Sequence, residues 1–315
     1  MTHCAAFALL LVCAAPTLFA QKTIQLEDIW SNPVFEAKTV PGFRFQNDGQ
    51  HYTSRNASAI EQYDLRNGEK TGLLFDGAAR PENAAPGWTG TFNHYSFSAD
   101  ESKILLAAEE EKIYRHSSRA NYFIFDIKTK QLSRLHEGAK QRYASFSPDG
   151  QKVAYVLEND LYYKNLSSGK TVRITTDGQI NAIINGASDW VYEEEFALAR
   201  AFEWSPDSKK IAFLRFDERQ VPEFTMELYR GGDYPELVTF KYPNVGEPNA
   251  KVSAHIYDLA GANTIPVQTA ETEYLPRIAW KPANSLCLTQ MNRHQSQLQL
   301  VLADPSTGKC TMLLE

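Results

Sequence analysis

The sequence predicts an all-β protein: a β-propeller of four-stranded antiparallel blades, with about five blades present. Three observations carry this expectation. The composition favours pleated, half-buried strands, one block of sequence alternates short apolar runs with turn residues, and that block returns along the chain. Of 315 residues, 43% are hydrophobic and 12% aromatic, enough apolar material to bury a substantial core. The Tyr and Phe residues stand in short runs beside Val, Ile and Thr, as strands prefer.

The clearest block spans residues 142–175. The run YASFS is followed by Pro148-Asp149-Gly150, KVAYVLE by Asn159-Asp160, LYYKNL by Ser167-Ser168-Gly169, and KTVRIT by Asp177-Gly178. Proline presets φ at a turn corner and glycine tolerates positive φ, so each cluster gives the chain a mechanical reason to reverse. The product is a four-stranded meander. Its first turn returns as FSADESK, WSPDSKK and, in worn form, FQNDGQH and WKPANS. Its last hairpin returns as YDLRNGEK, FDIKTKQL, YDLAGANT and LADPSTGKC. Equivalent aromatic positions are Phe45, Phe97, Phe146, Trp204 and Trp280, at steps of 52, 49, 58 and 76 residues. Repeats of this length with four strands each are the mark of propeller blades, which bury their faces against one another. A sandwich with coincidental turns is the competing architecture, and five matched turn pairs disfavour it. Two steps exceed the basic period, so segments are inserted. The longest, residues 217–250, reads as a surface excursion within the fourth copy. A propeller closes when its last blade meets its first, and five copies leave apolar blade faces uncovered. The sequence is therefore expected to be a truncated propeller.

Residues 1–20 differ from the rest: Cys4 to Ala15 is an unbroken apolar run, followed by Pro16 and then Leu18, Phe19 and Ala20. This pattern predicts a signal peptide cut after Ala20 and an exported, periplasmic or secreted protein, with the propeller domain over residues 21–315. The run falls short of the roughly 20 residues that span a bilayer, and no later segment is apolar enough, so no membrane span is expected. The net charge of -6, with acids and bases interspersed, gives no basic field for nucleic acid. Of four cysteines, Cys287 and Cys310 would remain after cleavage. A bridge between them is open in an oxidising compartment, but two buried free thiols on separate strands fit a lone pair better. No Cys/His cluster has metal-ligand spacing, and neither a metal nor a cofactor is expected.

Two segments carry candidate chemistry. In GQINAIINGASDWVYEEEFALARAFEW, the pattern from Asp189 predicts a short helix with Asp189 as its cap and Phe196 and Leu198 as apolar contacts. Glu193, Glu194 and Glu195 then project near one another. One reading is a solvated acidic turn. The other is a receptor for an ammonium group, since adjacent carboxylates repel unless a cation lies between them, and Trp190, Tyr192 and Phe196 lower local solvation. A free peptide N-terminus, with a reference pKa of about 7.7–8.0, carries such a charge. The second segment, EEEKIYRHSSRANYFIFDI, inserts Arg115 and His116 between two strands. Arg115 is either a surface charge or a donor to a peptide carbonyl. No nucleophile is found. Gly186-Ala187-Ser188 is the nearest approach to a Gly-x-Ser-x-Gly elbow, and Trp190 takes the place of its last glycine. Phosphate and dinucleotide motifs are absent.

The run DWVYEEEF resembles the double-glutamate signature of dipeptidyl peptidase IV and its relatives, a family of prolyl oligopeptidase-type serine peptidases. YRHSSRANYFIFDI, TTDGQINAIINGASDWVYEEEF, RFDERQVPEF and YPNVGEPNAKVSAHIYDL extend the likeness over nearly the whole exported chain, and together they resemble bacterial secreted members closely. The resemblance implies that Glu194 and Glu195 hold the substrate's N-terminal ammonium, that Arg115 binds the carbonyl of the penultimate residue, and that Glu193 is not a direct ligand. It further implies an eight-bladed propeller over an α/β-hydrolase domain that cuts after the second residue, usually Pro or Ala. Three blades and the hydrolase domain are absent from these residues, so the chain alone is expected to recognise peptide N-termini and not to cleave them. A homodimer is a family expectation. The alternative is a self-sufficient propeller that binds peptides or proteins without enzymatic activity.

Overall fold

A buried serine sets the repeating turn. In the computed structural model, which describes residues 23–37, 39–40, 42–79, 85–282 and 284–315, Ser98 Oγ donates to Asp100 Oδ1 (2.6 Å) and accepts the Lys103 amide (3.0 Å). Ser147 does the same with Asp149 (2.5 Å) and Lys152 (3.0 Å), as does Ser205 with Asp207 (2.7 Å) and Lys210 (2.8 Å). The Ser-x-Asp-x-x-Lys pattern is therefore a closed hydrogen-bonded turn, in which the serine satisfies an amide that the hairpin leaves unpaired. The worn copies close by other means. Asp48 Oδ1 accepts the amides of Gln50 (2.8 Å) and His51 (2.9 Å), and Lys281 donates its amide to the Ser285 carbonyl at 2.8 Å.

Each turn joins the first two strands of a blade. Blade 1 holds β1 (Arg44–Phe45), β2 (His51–Asn56), β3 (Ala59–Asp64) and β4 (Lys70–Asp76). Blade 2 holds β5 (His94–Phe97), β6 (Lys103–Lys112), β7 (Ser118–Asp126) and β8 (Leu132–Arg134). Blade 3 holds β9 (Arg142–Phe146), β10 (Lys152–Leu157), β11 (Asp160–Asn165) and β12 (Thr171–Arg173). In blade 4, β13 (Ile183–Asn185) and β14 (Phe202–Trp204) share one edge of β15 (Lys210–Asp217), followed by β18 (Lys251–Asp258) and β19 (Asn263–Pro266). Between β15 and β18 the chain leaves as a two-stranded ribbon, β16 (Glu223–Leu228) and β17 (Glu236–Lys241). Blade 5 holds β20 (Tyr274–Trp280), β21 (Leu286–Met291), β22 (Leu298–Ala303) and β23 (Cys310–Leu314). All these pairings are antiparallel, and in blades 1, 2, 3 and 5 they follow chain order as expected from the repeat, whereas in blade 4 β15 pairs with β13 and β18 across the inserted segments.

The repeat aromatics end the first strands, and two of them tie blades together. Trp204 donates its indole N–H to the Ser145 carbonyl of blade 3 (3.2 Å), and Trp280 to the Glu203 carbonyl of blade 4 (3.0 Å). The turns also link sideways: the Asn47 amide meets Glu101 at 2.8 Å, the Asp149 amide meets Ser208 Oγ at 2.9 Å, and Asn284 Nδ2 meets Asp207 at 3.1 Å. The core lies between blades. Ile60, Phe75, Leu106 and Phe123 join blades 1 and 2, Leu105, Val153 and Tyr155 join blades 2 and 3, and Val156, Phe202, Phe213, Ile256 and Leu288 join blades 3 to 5. Each fully buried aliphatic or Phe side chain contributes about 1.5–3 kcal/mol. The outer blades leave apolar side chains in water, among them Phe45 on β1 and Leu298, Met312 and Leu314 on blade 5.

The propeller lies within a compact unit, Pro41–Glu315, and Met1–Val40 is a separate one. The described part of the latter contains a short helix, α1 (Leu26–Trp30). The expected signal peptide, residues 1–20, lies outside the described residues. Cys287 and Cys310 are free thiols on separate strands, as expected, although half-buried and not buried. The insertion expected over 217–250 is the β16–β17 ribbon with its flanks, and it is more than a surface excursion, because its base packs against the site.

Candidate functional site

The acidic segment interrupts the first strand of blade 4. After β13 the chain makes a narrow stem, in which the Ala201 amide donates to Gly186 O (3.0 Å) and the Ser188 amide to Ala199 O (3.1 Å). The stem carries α2 (Trp190–Phe196) as a stapled excursion and returns into β14. Gly186 is required at the base. Its φ is +73°, and a Cβ there would stand 3.1 Å from Leu161 and 3.2 Å from Val156.

Seven residues do not make a stable helix alone, and α2 is held from several sides. Asp189 caps it, accepting the Tyr192 amide at 2.9 Å as the sequence predicted. Tyr192 is buried against Phe216, and its hydroxyl accepts the Leu275 amide of blade 5 (2.8 Å). Arg277 of blade 5 donates to the Phe196 carbonyl (2.5 Å), answering a carbonyl at the C-terminal end. Phe196 and Leu198 pack on the core, as expected.

The three glutamates diverge, which corrects the expectation that they project together. A helix turns about 100° per residue, so neighbours do not share a face. Glu193 points inward and is 0% exposed. Its Oε1 accepts the amides of His116 (2.6 Å) and Ser117 (2.9 Å) from the β6–β7 connection. Glu194 is 19% exposed at its side chain and lies 3.3 Å from Arg115 Nε, on a side chain that is 72% exposed. Glu195 faces solvent and takes no ion pair among the described residues. Two blades therefore bring Arg115 and Glu194 together, with Glu195 next along the helix.

Behind α2 lies a cavity of about 630 Å³ walled by Tyr114, Arg142, Ser188, Asp189, Glu218 and Lys241, among others. Burial pushes the Asp189 carboxyl up to about 7. Burial, then the charge of Asp189, pushes Glu218 up to about 8. Burial, with Glu218 adding to it, pushes the Tyr114 phenol up to about 12. The ribbon base completes the surroundings: Phe240 meets Tyr114 with ring centroids 5.8 Å apart, and Tyr242 meets Trp190 at 4.4 Å. Ser188 is buried beside the stem, not exposed on an elbow. Sequence reasoning did not find the roles of Glu218, Arg277 or the inward Glu193. Only the Glu193 role left a signal, since three consecutive helical residues cannot all face outward together.

The model of the family described as dipeptidyl peptidase IV (DPP IV) N-terminal region matches residues 98–315. The chain belongs to this family. Among solved structures, the dipeptidyl peptidase 4 of Porphyromonas gingivalis superposes with a TM-score of 0.85 at 36% identity, over 93% of this chain and 42% of that one. Dipeptidyl peptidase 4 of Trichophyton rubrum is 39% identical over 222 residues, 66% of this chain and 28% of that protein. The inactive dipeptidyl peptidase 10 of Mus musculus is 29% identical over 238 residues, 71% of this chain and 29% of that protein. The chain thus spans less than half the length of each relative. The dipeptidyl peptidase IV family match covers blades 3 to 5 and all but the first strand of blade 2, so it contains Arg115 and the whole of α2.

Proposed function

We propose that this chain is the substrate-recognition propeller of a serine-type dipeptidyl peptidase, and that Glu194 and Glu195 hold the free N-terminal ammonium of a peptide while Arg115 donates to its backbone carbonyl. The observation that carries this reading is the 3.3 Å contact between Arg115 and Glu194, made across two blades beside an unpaired Glu195. Two carboxylates and one guanidinium sum to a single negative charge, which one ammonium neutralises. Arg115 commits its Nε–H to Glu194 and keeps its terminal N–H donors for a carbonyl.

Anchoring the amine fixes the distance from the peptide's end to any nucleophile, which turns cleavage into a two-residue ruler. In this reading X-Pro or X-Ala dipeptides are released, and the cleavage belongs to an α/β-hydrolase domain outside these 315 residues. The exposed apolar side chains of blades 1 and 5 support further blades beside them. Residues 1–20 act as an export signal, and the protein works in the periplasm or outside the cell; no helix among the described residues is long and apolar enough to cross a membrane. The ribbon, with Met226 and Leu237 exposed, supports pairing of the full-length protein as a homodimer. A binding propeller without activity is the second reading, favoured by the likeness to a relative named inactive.

In the full-length protein, Glu194→Ala or Glu195→Ala is expected to lower kcat/KM for free-amine X-Pro amides by about 100-fold. That is the effect of deleting one partner of a charge-assisted hydrogen bond worth about 2–3 kcal/mol. An unchanged rate contradicts the amine anchor, and a wild-type protein that binds such peptides without cleaving them favours the second reading.

A further inference from the structure

We propose that Glu193 is a positioning residue: from inside the molecule it fixes the backbone that carries Arg115, and so sets the guanidinium against Glu194. The geometry of the contact is independent of what the site binds; its consequence for peptides rests on the reading above.

Arg115 lies in the connection 113–117, whose own closure consists of the Ile113 amide on Ser117 O (2.9 Å) and the Tyr114 amide on Ser117 Oγ (3.1 Å). Its side chain is mostly in water, and Glu194 is its one ion-pair partner among the described residues. An exposed arginine loses much rotamer freedom to hold one position, so its placement depends on where the backbone is fastened. The fastening is Glu193. One carboxyl oxygen receives two consecutive amides, those of His116 and Ser117, the two residues directly after Arg115. Ser117 and Glu193 are both 0% exposed, so the Ser117 amide has no water as a substitute for the carboxylate.

The helix is a firm base for this tie. Asp189 caps it, and Leu275 and Arg277 hold it from blade 5. Because Glu193 and Glu194 are adjacent on α2, one turn of helix both fastens the loop and meets its arginine. A shift of α2 therefore carries the whole pair with it, and the distance between Arg115 and Glu194 is preserved.

The test follows the Arg115 Nε–H of this chain by NMR relaxation. In the wild type it is expected to be ordered. Glu193→Ala is expected to leave the amide spectrum of the blades in place, to set the Arg115 Nε–H free, and to weaken binding of an Ala-Pro peptide with a free amine about tenfold. Glu193→Gln retains a carbonyl oxygen that accepts both amides, and is expected to keep Arg115 ordered. If Glu193→Ala does not fold, Glu193→Asp serves in its place, since it keeps a carboxyl but falls one methylene short of the loop. An Arg115 that stays ordered in the Ala or Asp variant overturns the proposal, as does a Gln variant as mobile as the Ala one. Arg115→Ala separates the two readings: if it leaves peptide affinity unchanged, the peptide clasp fails, while the NMR result still decides the role of Glu193.

Discussion

At one end of the blades, where first strands turn into second strands, Ser98, Ser147 and Ser205 close the same turn with the same partners and similar distances. At the other end, where second strands lead to third strands, blades 1 and 3 keep two-residue hairpins and blades 2 and 4 depart from them. Blade 2 carries the loop with Arg115, blade 4 sends out the β16–β17 ribbon, and α2 breaks the first strand of the same blade. The regular end satisfies the polar groups of each serine turn within five residues, and single links such as the Asp149 amide on Ser208 Oγ join neighbouring turns. The irregular end satisfies them across blades, with Glu193 reaching amides 76 and 77 residues away. Repetition there builds the scaffold, and departure from it places chemistry.

This contrast predicts different responses at the two ends, and the larger belongs to the irregular one. Glu218 and Asp189 are carboxyls whose buried sites favour the protonated form. Between the usual carboxylate range, about 4, and their raised values, the folded state binds more protons than the unfolded chain, so stability falls as pH rises. Urea midpoints are expected to drop from pH 5 to pH 8.5 by the equivalent of about 2–4 kcal/mol. Glu218→Gln should remove most of that slope, and a variant with the wild-type slope breaks the assignment.

The smaller effect belongs to the regular end. Ser147→Ala deletes the acceptor of the Lys152 amide and the donor to Asp149, and is expected to cost about 1–2 kcal/mol in the same unfolding assay. Peptide affinity should stay at the wild-type value. A loss of affinity in this variant would show that the two ends are not separate in function.

Most of the scaffold was legible in the sequence because its determinants are local. Pro148-Asp149-Gly150 makes a turn in any blade, and the spacing from Phe45 to Trp280 counts the copies. Asp189 was legible as a cap for the same reason, since its partner Tyr192 is three residues away. The inward role of Glu193 was hidden among three like residues, because its partners belong to blade 2. The placement of α2 within a strand was hidden too, since β13 and β14 are recognisable as one edge only through their shared pairing with β15. The ribbon read as an excursion because the contacts of Phe240 and Tyr242 with Tyr114 and Trp190 are long-range.

The account depends most on the claim that α2 and Arg115 take a charged peptide end. Calorimetric titration of the chain with an Ala-Pro peptide, free at its N-terminus in one sample and N-acetylated in the other, tests it directly. Binding by the free amine and at least tenfold weaker binding by the acetylated peptide is the predicted result. Equal affinity for the two would contradict it.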